Sequence, residues 1–375
     1  MTTPSAPTRR RLQDIEGVEL NPVAASTNRE FTLLAGAAVA LIAIAWLIGI
    51  NIAVAAVVAY VAFVVAVYVL YRVQYGRRVG SDKMAKAALY GTFILAVAPL
   101  ISLLWTVIAN GATTAFSPDY LFNSMRGVTG IHDRDVVEAA GPLLGGAYHA
   151  IVGTLIITGV AALISIPIGL FTAIFLVEYQ PKGRLSQIIR FLVDVMTGIP
   201  SIVAGLFAFA LWAVLFGVGT RNGFAGAAAL TVLMIPTVVR SSEEMLRIVP
   251  NELREASLAL GVPKWRTIAK VVLPTAASGL AAGITLAIAR VIGETAPLLV
   301  AVGATQAINF NPNNGPMNTL AVYAYQLFKY PINPGYPDPS MDRAWAAAFL
   351  LVLIVVLLNL LARFIAKVFA PKTKG

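Results

Sequence analysis

Apolar residues fall along this chain in long unbroken runs. They show neither the two-residue alternation of a half-buried strand nor the narrow stripe of a surface helix. A helix needs about 20 consecutive apolar residues to cross the hydrocarbon of a bilayer. Eight stretches reach that length: Phe31 to Ile50, Ile52 to Tyr71, Leu89 to Ile108, Tyr148 to Phe175, Phe191 to Val218, Phe224 to Val239, Ala276 to Val302 and Ala344 to Phe364. The pattern predicts an all-α polytopic membrane protein of about eight transmembrane helices. Little more than Asn51 separates the first two stretches, which therefore form a tight hairpin. The run at Phe31 follows a 30-residue polar tail and is too long for the apolar core of a signal peptide, so no cleavable leader is expected.

Composition agrees. Hydrophobic residues make up 58% and charged residues 12% of the 375, against about 45–50% and about 25% in soluble domains. With a mean hydropathy of +0.79, a soluble enzyme, a disordered scaffold and a fibrous protein are excluded. Cysteine is absent, which removes disulfides, thiolate catalysis and Cys-ligated metals, and two histidines, His132 and His149, argue against a His-rich metal site.

The formal charge of +10 fits either nucleic acid or loop topology. With the N-terminus inside, 22 of the 28 Lys and Arg residues fall in cytoplasmic segments and five outside, and Arg290 lies within a span. That asymmetry follows the positive-inside rule. It predicts a multi-pass protein with both termini in the cytoplasm and leaves no need for nucleic acid. Arg9, Arg10 and Arg11 read as a solvated topogenic run, with contact to anionic membrane lipid as the alternative.

Two external loops are long. Asn110 to Gly146 carries Asp119, Asp133, Asp135 and Glu138, and Gly303 to Arg343 is rich in Pro and Asn. Each either meets an external partner or caps the bundle. The cytoplasmic segment 240–274 is charged and helix-patterned. Pro250-Asn251 is a start signal, Glu252 and Glu255 suit the first turns, and Leu253, Ala256, Ser257 and Leu260 share one face. Gly261 suits a C′ position, Pro263 can open a second helix, and Pro274 is expected to mark the break into the next span. Two short helices at a sharp angle, outside the membrane, are predicted.

Within that segment, Glu255-Ala256-Ser257, three residues, Gly261, nine residues and Val271-Val272-Leu273-Pro274 follow the spacing E-A-A-x3-G-x9-I-x-L-P. This resembles the membrane subunits of ATP-binding-cassette importers, with Ser257 in place of the second Ala and Val271 in place of Ile. Small residues at 256 and 257 let such a helix pack into a groove of another protein, and the flanking spans carry its displacement into the membrane. The alternative is an ordinary solvated helix between two spans.

Other strings narrow the resemblance. Gly198-Ile199-Pro200-Ser201-Ile202-Val203-Ala204-Gly205 and Arg240-Ser241-Ser242-Glu243-Glu244-Met245-Leu246 resemble phosphate-specific permeases, and Ala289-Arg290-Val291-Ile292-Gly293-Glu294-Thr295-Ala296-Pro297-Leu298-Leu299 is similar to the PstA-type subunit. The resemblance covers about Ala88 to Ala370. It implies a type I importer core of six helices, preceded by an extra hairpin that departs from the pattern. The implied divisions are a basic tail (1–30), the hairpin and its loop (31–88), the first core helix and external loop (89–147), the importer transmembrane domain (148–366) and a C-terminal tail (367–375). The implied partners are two copies of an ATPase subunit, a homologous PstC-type permease and an extracytoplasmic phosphate-binding protein. The implied location is the bacterial inner (plasma) membrane.

Arg290 and Glu294 are mid-span, where an unpaired charge costs several kcal/mol, and lie one helical turn apart, so they can pair. They read either as a structural ion pair or as lining of the translocation path. An Arg fork suits phosphate oxygens, and the Glu tempers it so that the anion can leave. Thr295 adds a hydroxyl, Pro297 disrupts the local helix, and Pro200 and Ser201 kink the fifth span or line the pore. Asp194 reads as an interfacial carboxylate and Arg240 as topogenic charge or an anion attractor. No G-x4-G-K-[ST] loop occurs. The chain is therefore expected to bind no cofactor and hydrolyse no ATP, a partner subunit using the ATP. The rival readings are a permease for another oxyanion (phosphonate, molybdate), an ion-coupled secondary transporter and, least supported, a membrane enzyme.

Overall fold

The computed structural model describes residues 27–49 and 51–369. The expected arginine run of the N-terminal tail, and the end of the C-terminal tail, lie outside them. Every regular element among the described residues is helical. In chain order these are α1 (Thr27–Leu47), α2 (Ile52–Tyr75), α3 (Arg77–Ala115), α4 (Pro118–Phe122), α5 (Gly130–Glu138), α6 (Tyr148–Ile174), α7 (Arg184–Thr197), α8 (Ser201–Phe216), α9 (Gly223–Ile248), α10 (Asn251–Ala259), α11 (Lys264–Thr267), α12 (Leu273–Ile292), α13 (Ala296–Ala301), α14 (Leu320–Lys329) and α15 (Asp338–Phe369). A π-helical turn, Phe175–Tyr179, extends α6, and another, Ile268–Val272, fuses α11 to α12.

Six of these helices are long and apolar enough to cross a membrane: α2, α3, α6 with its π-turn, α9, the fused α11–α12, and α15. The two remaining expected spans differ. The apolar part of α1, Phe31–Ala45, is shorter than a full crossing. The fifth, expected as one helix from Phe191 to Val218, is two helices, α7 and α8, bent by 103°. Pro200 brings no N–H and pushes Ile199 out of the helical region, so the ladder stops at Gly198. The half before the break carries Arg184, Arg190 and Asp194, a face for water; the half after it is apolar from Ile202 onward.

Contacts divide the chain at Leu103, within α3. In the first unit α1, α2 and the start of α3 enclose Val67, Tyr71 and Ala87. Gly76, at φ +91°, turns α2 into α3. Tyr60 lies over Gly91 and donates to the Ala88 carbonyl (3.2 Å), which admits no side chain at 91.

The second unit is built around α9, whose small residues let neighbours approach to backbone distance. A Cβ on Gly226 would strike Val302; α6 closes on α9 at Gly169, where a Cβ would lie 2.6 Å from Val238, and α12 closes on α9 at Gly283, where a Cβ would lie 2.7 Å from Ser241. The core here is Ile157, Leu230, Met234, Val238, Ala287, Val291 and Leu298.

At the end of this unit opposite the basic segments, the two long loops form an ordered cap. Asp133 and Arg343, both 0% exposed, pair at 2.8 Å. Ser340 also donates to Asp133, and Tyr120 donates to the Arg343 carbonyl at 2.5 Å. The Asn333 amide ties the second loop to Gly130 of α5. Of the two roles open to these loops, their packing fits that of a cap.

Gly226→Val should lower the unfolding temperature in detergent, with a cost of about 1–3 kcal/mol for overpacking. Gly159→Ala, whose Cβ would meet nothing within 4 Å, should leave it unchanged or raise it. Equal effects at the two positions would contradict the close approach at α9.

Candidate functional site

The residues of the predicted docking helix form a compact elbow at the basic end. The chain does not leave the span at Arg240 as expected. α9 continues to Ile248, so the elbow proper is Val249 to Pro263. Pro250 caps α10, and Glu252 sits in its first turn, where a carboxylate favours the macrodipole. The helix ends in paired bonds, Val262 N–H to the Ser257 carbonyl (3.3 Å) and Gly261 N–H to the Leu258 carbonyl (2.9 Å). This is a Schellman closure, and it holds Gly261 at φ +74°. Pro263 caps the next helix one position before the expected N1.

Pro274 does not break into the following span. The helix runs unbroken from Lys264 to Ile292, because the π-turn before Leu273 widens the ladder where the proline contributes no donor. Leu273 is half-buried against Val272 and Ala276, and Pro274 is exposed.

The four residues expected on one face of α10 divide. Ser257 is buried, and its hydroxyl meets that of Thr267 at 2.9 Å, bolting α10 to α11. Glu255 and Ala256 are exposed, as are Leu253 (42%), Leu258 (48%) and Leu260 (83%). The exposed surface of α10 thus mixes leucines with the carboxylates of Glu252 and Glu255 and the small Ala256.

Two ionic clamps, unforeseen in the sequence, stand at this end: one holds the elbow to α6 and the other ties α7 to α9. Arg254 of α10 donates through Nε and Nη2 to Glu178 of the first π-turn (3.0 and 2.8 Å), and to the carbonyls of Leu246 (2.8 Å) and Val249 (2.6 Å). Arg190 of α7 donates to Glu243 of α9 (2.8 Å) and to the carbonyls of Leu176 and Pro181 (2.9 Å each); Arg247 shares Glu243. Glu178 and Glu243 are 7% and 4% exposed, so their charges depend on these partners. Asp194 and Arg240 form an ion pair joining α7 to α9. The one sequence signal for Glu178 was a carboxylate closing an otherwise apolar run.

The predicted path residues lie at a second break. α12 ends at Ile292, so Glu294 falls outside the helix and the one-turn spacing that would pair it with Arg290 is not formed. Arg290 has no carboxylate partner among the described residues. It donates to Thr237 of α9 (3.1 Å), and its side chain is exposed. Glu294 and Thr295 are half-buried in the Gly293–Thr295 break, and Pro297 opens α13 rather than kinking a continuous helix. Pro200 and Ser201 stand at the matching break between α7 and α8. The apolar halves beyond the two breaks pack together, with Pro297 against Gly205 (2.5 Å to a Cβ there). Two discontinuous helices thus lie side by side, and an unneutralised guanidinium lies one turn from one of the breaks. Such breaks with a free cation suit transient contact with an anion.

Arg254→Ala leaves the Glu178 charge and two carbonyls uncompensated. Breaking such a pair costs about 3–5 kcal/mol. We expect faster protease cleavage between residues 249 and 263 and a lower unfolding temperature; the exchange Glu178→Arg with Arg254→Glu should recover part of the loss. Unaltered cleavage in Arg254→Ala would show that the clamp does not hold the elbow.

Residues 165–375 match the model of the binding-protein-dependent transport system inner membrane component family. The phosphate transport system permease protein PstA 1 of Mycobacterium tuberculosis is 45% identical over 293 residues, covering 77% of this chain and 91% of the relative. PstA of Mycobacterium leprae is 42% identical over 293 residues, covering 77% and 91%. PstA of Pasteurella multocida is 42% identical over 219 residues, covering 58% and 75%. An inward-facing structure of the methionine transporter MetNI aligns with a TM-score of 0.47 and 24% identity, covering 58% of this chain and 94% of that one. The chain belongs to the binding-protein-dependent transport system inner membrane components and, among them, to the PstA-type permeases.

Proposed function

We propose that this chain is the PstA-type permease subunit of an ATP-driven importer that moves inorganic phosphate across the cell membrane. The observation that carries the reading is the elbow: an exposed helix held by a buried ion pair to α6 and by hydrogen bonds to the end of α9, in a chain 45% identical to a PstA permease. An ATPase subunit docks on Glu255 and Ala256. The bonds of Ser257 and the turn at Gly261 fix the helix rigidly to Leu273 and Pro274 beyond, and displacement of α10 is passed to α6 through Glu178. In the finer reading two ATPase copies serve this chain and a PstC-type sister permease, both termini are cytoplasmic, and an external phosphate-binding protein delivers the anion. This chain contributes no nucleotide site and binds no cofactor.

Arg290 is exposed in the last turn of α12, within an apolar span. A cation there would not be left against lipid, which supports a place on a wet path between two permease subunits. Phosphate accepts the guanidinium fork while passing, and Glu294, Thr295, Pro200 and Ser201 border the same passage. A permanent carboxylate partner would cancel this attraction, so the broken helix that parts Glu294 from Arg290 keeps the cation available.

In vesicles with the full set of subunits, ATP should drive phosphate uptake. Glu255→Lys or Gly261→Pro should abolish co-purification of the ATPase. Arg290→Gln should leave the assembly intact and lower uptake about tenfold or more, the worth of one charged hydrogen-bonding partner. Uptake by the chain alone down a sodium or proton gradient would overturn the importer reading. Unaltered uptake in Arg290→Gln would remove that residue from the path.

A further inference from the structure

The end of the second unit opposite the elbow contains a cavity of about 240 Å³, bordered by α6, α14 and the loops around them. His149, Tyr323, Asn318, Gln306, Gln326 and Tyr330 supply its polar lining. His149 is 2% exposed, and neither ring nitrogen has a hydrogen-bond partner among the described residues. Tyr323, 3% exposed, has the buried Tyr120 phenol as a side-chain hydrogen-bonding neighbour. The two rings stand edge to face at 5.0 Å. Buried polar side chains nearly always have partners, and an imidazole with both nitrogens open on a polar cavity identifies a place where something else supplies them.

The lining has a definite character. It offers an imidazole, phenols and carboxamides and contains no carboxylate, lysine or arginine. Burial pushes the Tyr323 hydroxyl far up from its usual range, so it stays a neutral donor. The nearest buried charges, Asp133 and Arg343, neutralise each other. At the rim Lys329 lies over the ring of Tyr330 (5.6 Å) and donates to the Tyr325 hydroxyl (3.1 Å), so a cation stands beside the lining. The room exceeds that of one water, about 30 Å³.

We infer that this cavity is a second anion site, on the face opposite the ATPase elbow, where a tetrahedral oxyanion is held by neutral donors before it reaches Arg290. The inference rests on the phosphate reading above and adds a place and a residue set to it. Neutral donors hold an oxyanion without a fixed counter-charge, so binding is weak and release quick, as conduction requires. Lys329 raises the local anion concentration at the rim without entering the lining.

The test is equilibrium binding of radiolabelled inorganic phosphate to the assembled importer in nanodiscs, without binding protein, in an Arg290→Gln background that removes the path cation. Tyr323→Phe, which deletes one hydroxyl, and His149→Gln, which keeps a hydrogen-bonding group, should each weaken binding about tenfold, with unfolding temperatures close to the parent. Lys329→Gln should slow association and leave the dissociation rate unchanged. Binding that is unaltered in both lining variants overturns the site, as does density for water alone at millimolar phosphate. ATP-driven uptake by the complete importer, run in parallel, separates the two levels. Uptake with unaffected binding in the variants removes this site only. No phosphate uptake removes the phosphate reading and this inference with it.

Discussion

A carboxylate at the end of an apolar helix is the constraint from which the architecture of the elbow follows. Glu178 closes a run of apolar residues and is almost fully buried, so its charge must be met by a fixed cation. The cation comes from α10, 76 residues further along the chain. Arg254 can reach it because α9 extends past the membrane-length run and its last carbonyls, at Leu246 and Val249, accept the remaining donors. One guanidinium thus satisfies an acid and the unpaired end of a helix together. Arg190 and Glu243 repeat the arrangement between α7 and α9. The surface helix is therefore mechanically part of the bundle.

The membrane interior is organised by the absence of side chains. Gly169 of α6, Gly226 of α9 and Gly283 of α12 each let a side chain of the facing segment seat directly on backbone. Apolar burial adds little where lipid is as apolar as the protein, so dispersion across these approaches is what holds the helices. Charged residues are then confined to the ends and to the two breaks. The breaks themselves are polar backbone at depth, tolerated where they are covered by protein or border a wet path.

Much of this was legible in the sequence. Runs of about 20 apolar residues located the spans, and the spacing from Glu255 to Pro274 located the elbow, including the positive φ at Gly261. What escaped has a common cause. Hydropathy averages over a window and does not register a single proline, so it joined α7 to α8 and α12 to α13. Periodicity placed Glu294 one turn from Arg290, but the helix carrying that period stops at Ile292. The partners of Glu178 and Asp133, at separations of 76 and 210 residues, have no local signal at all. In the other direction, Pro274 looked like a stop and is not one, because the π-turn before it absorbs the missing donor.

The turn at Gly261 has one more implication. Nothing lies within 4 Å of the position a Cβ would take there, yet the backbone stands at φ +74°. The requirement is therefore one of handedness and not of room. A D-alanine introduced by chemical synthesis would satisfy it, while its mirror image, carrying the same atoms into the same empty space, would strain the joint between α10 and the helix that follows.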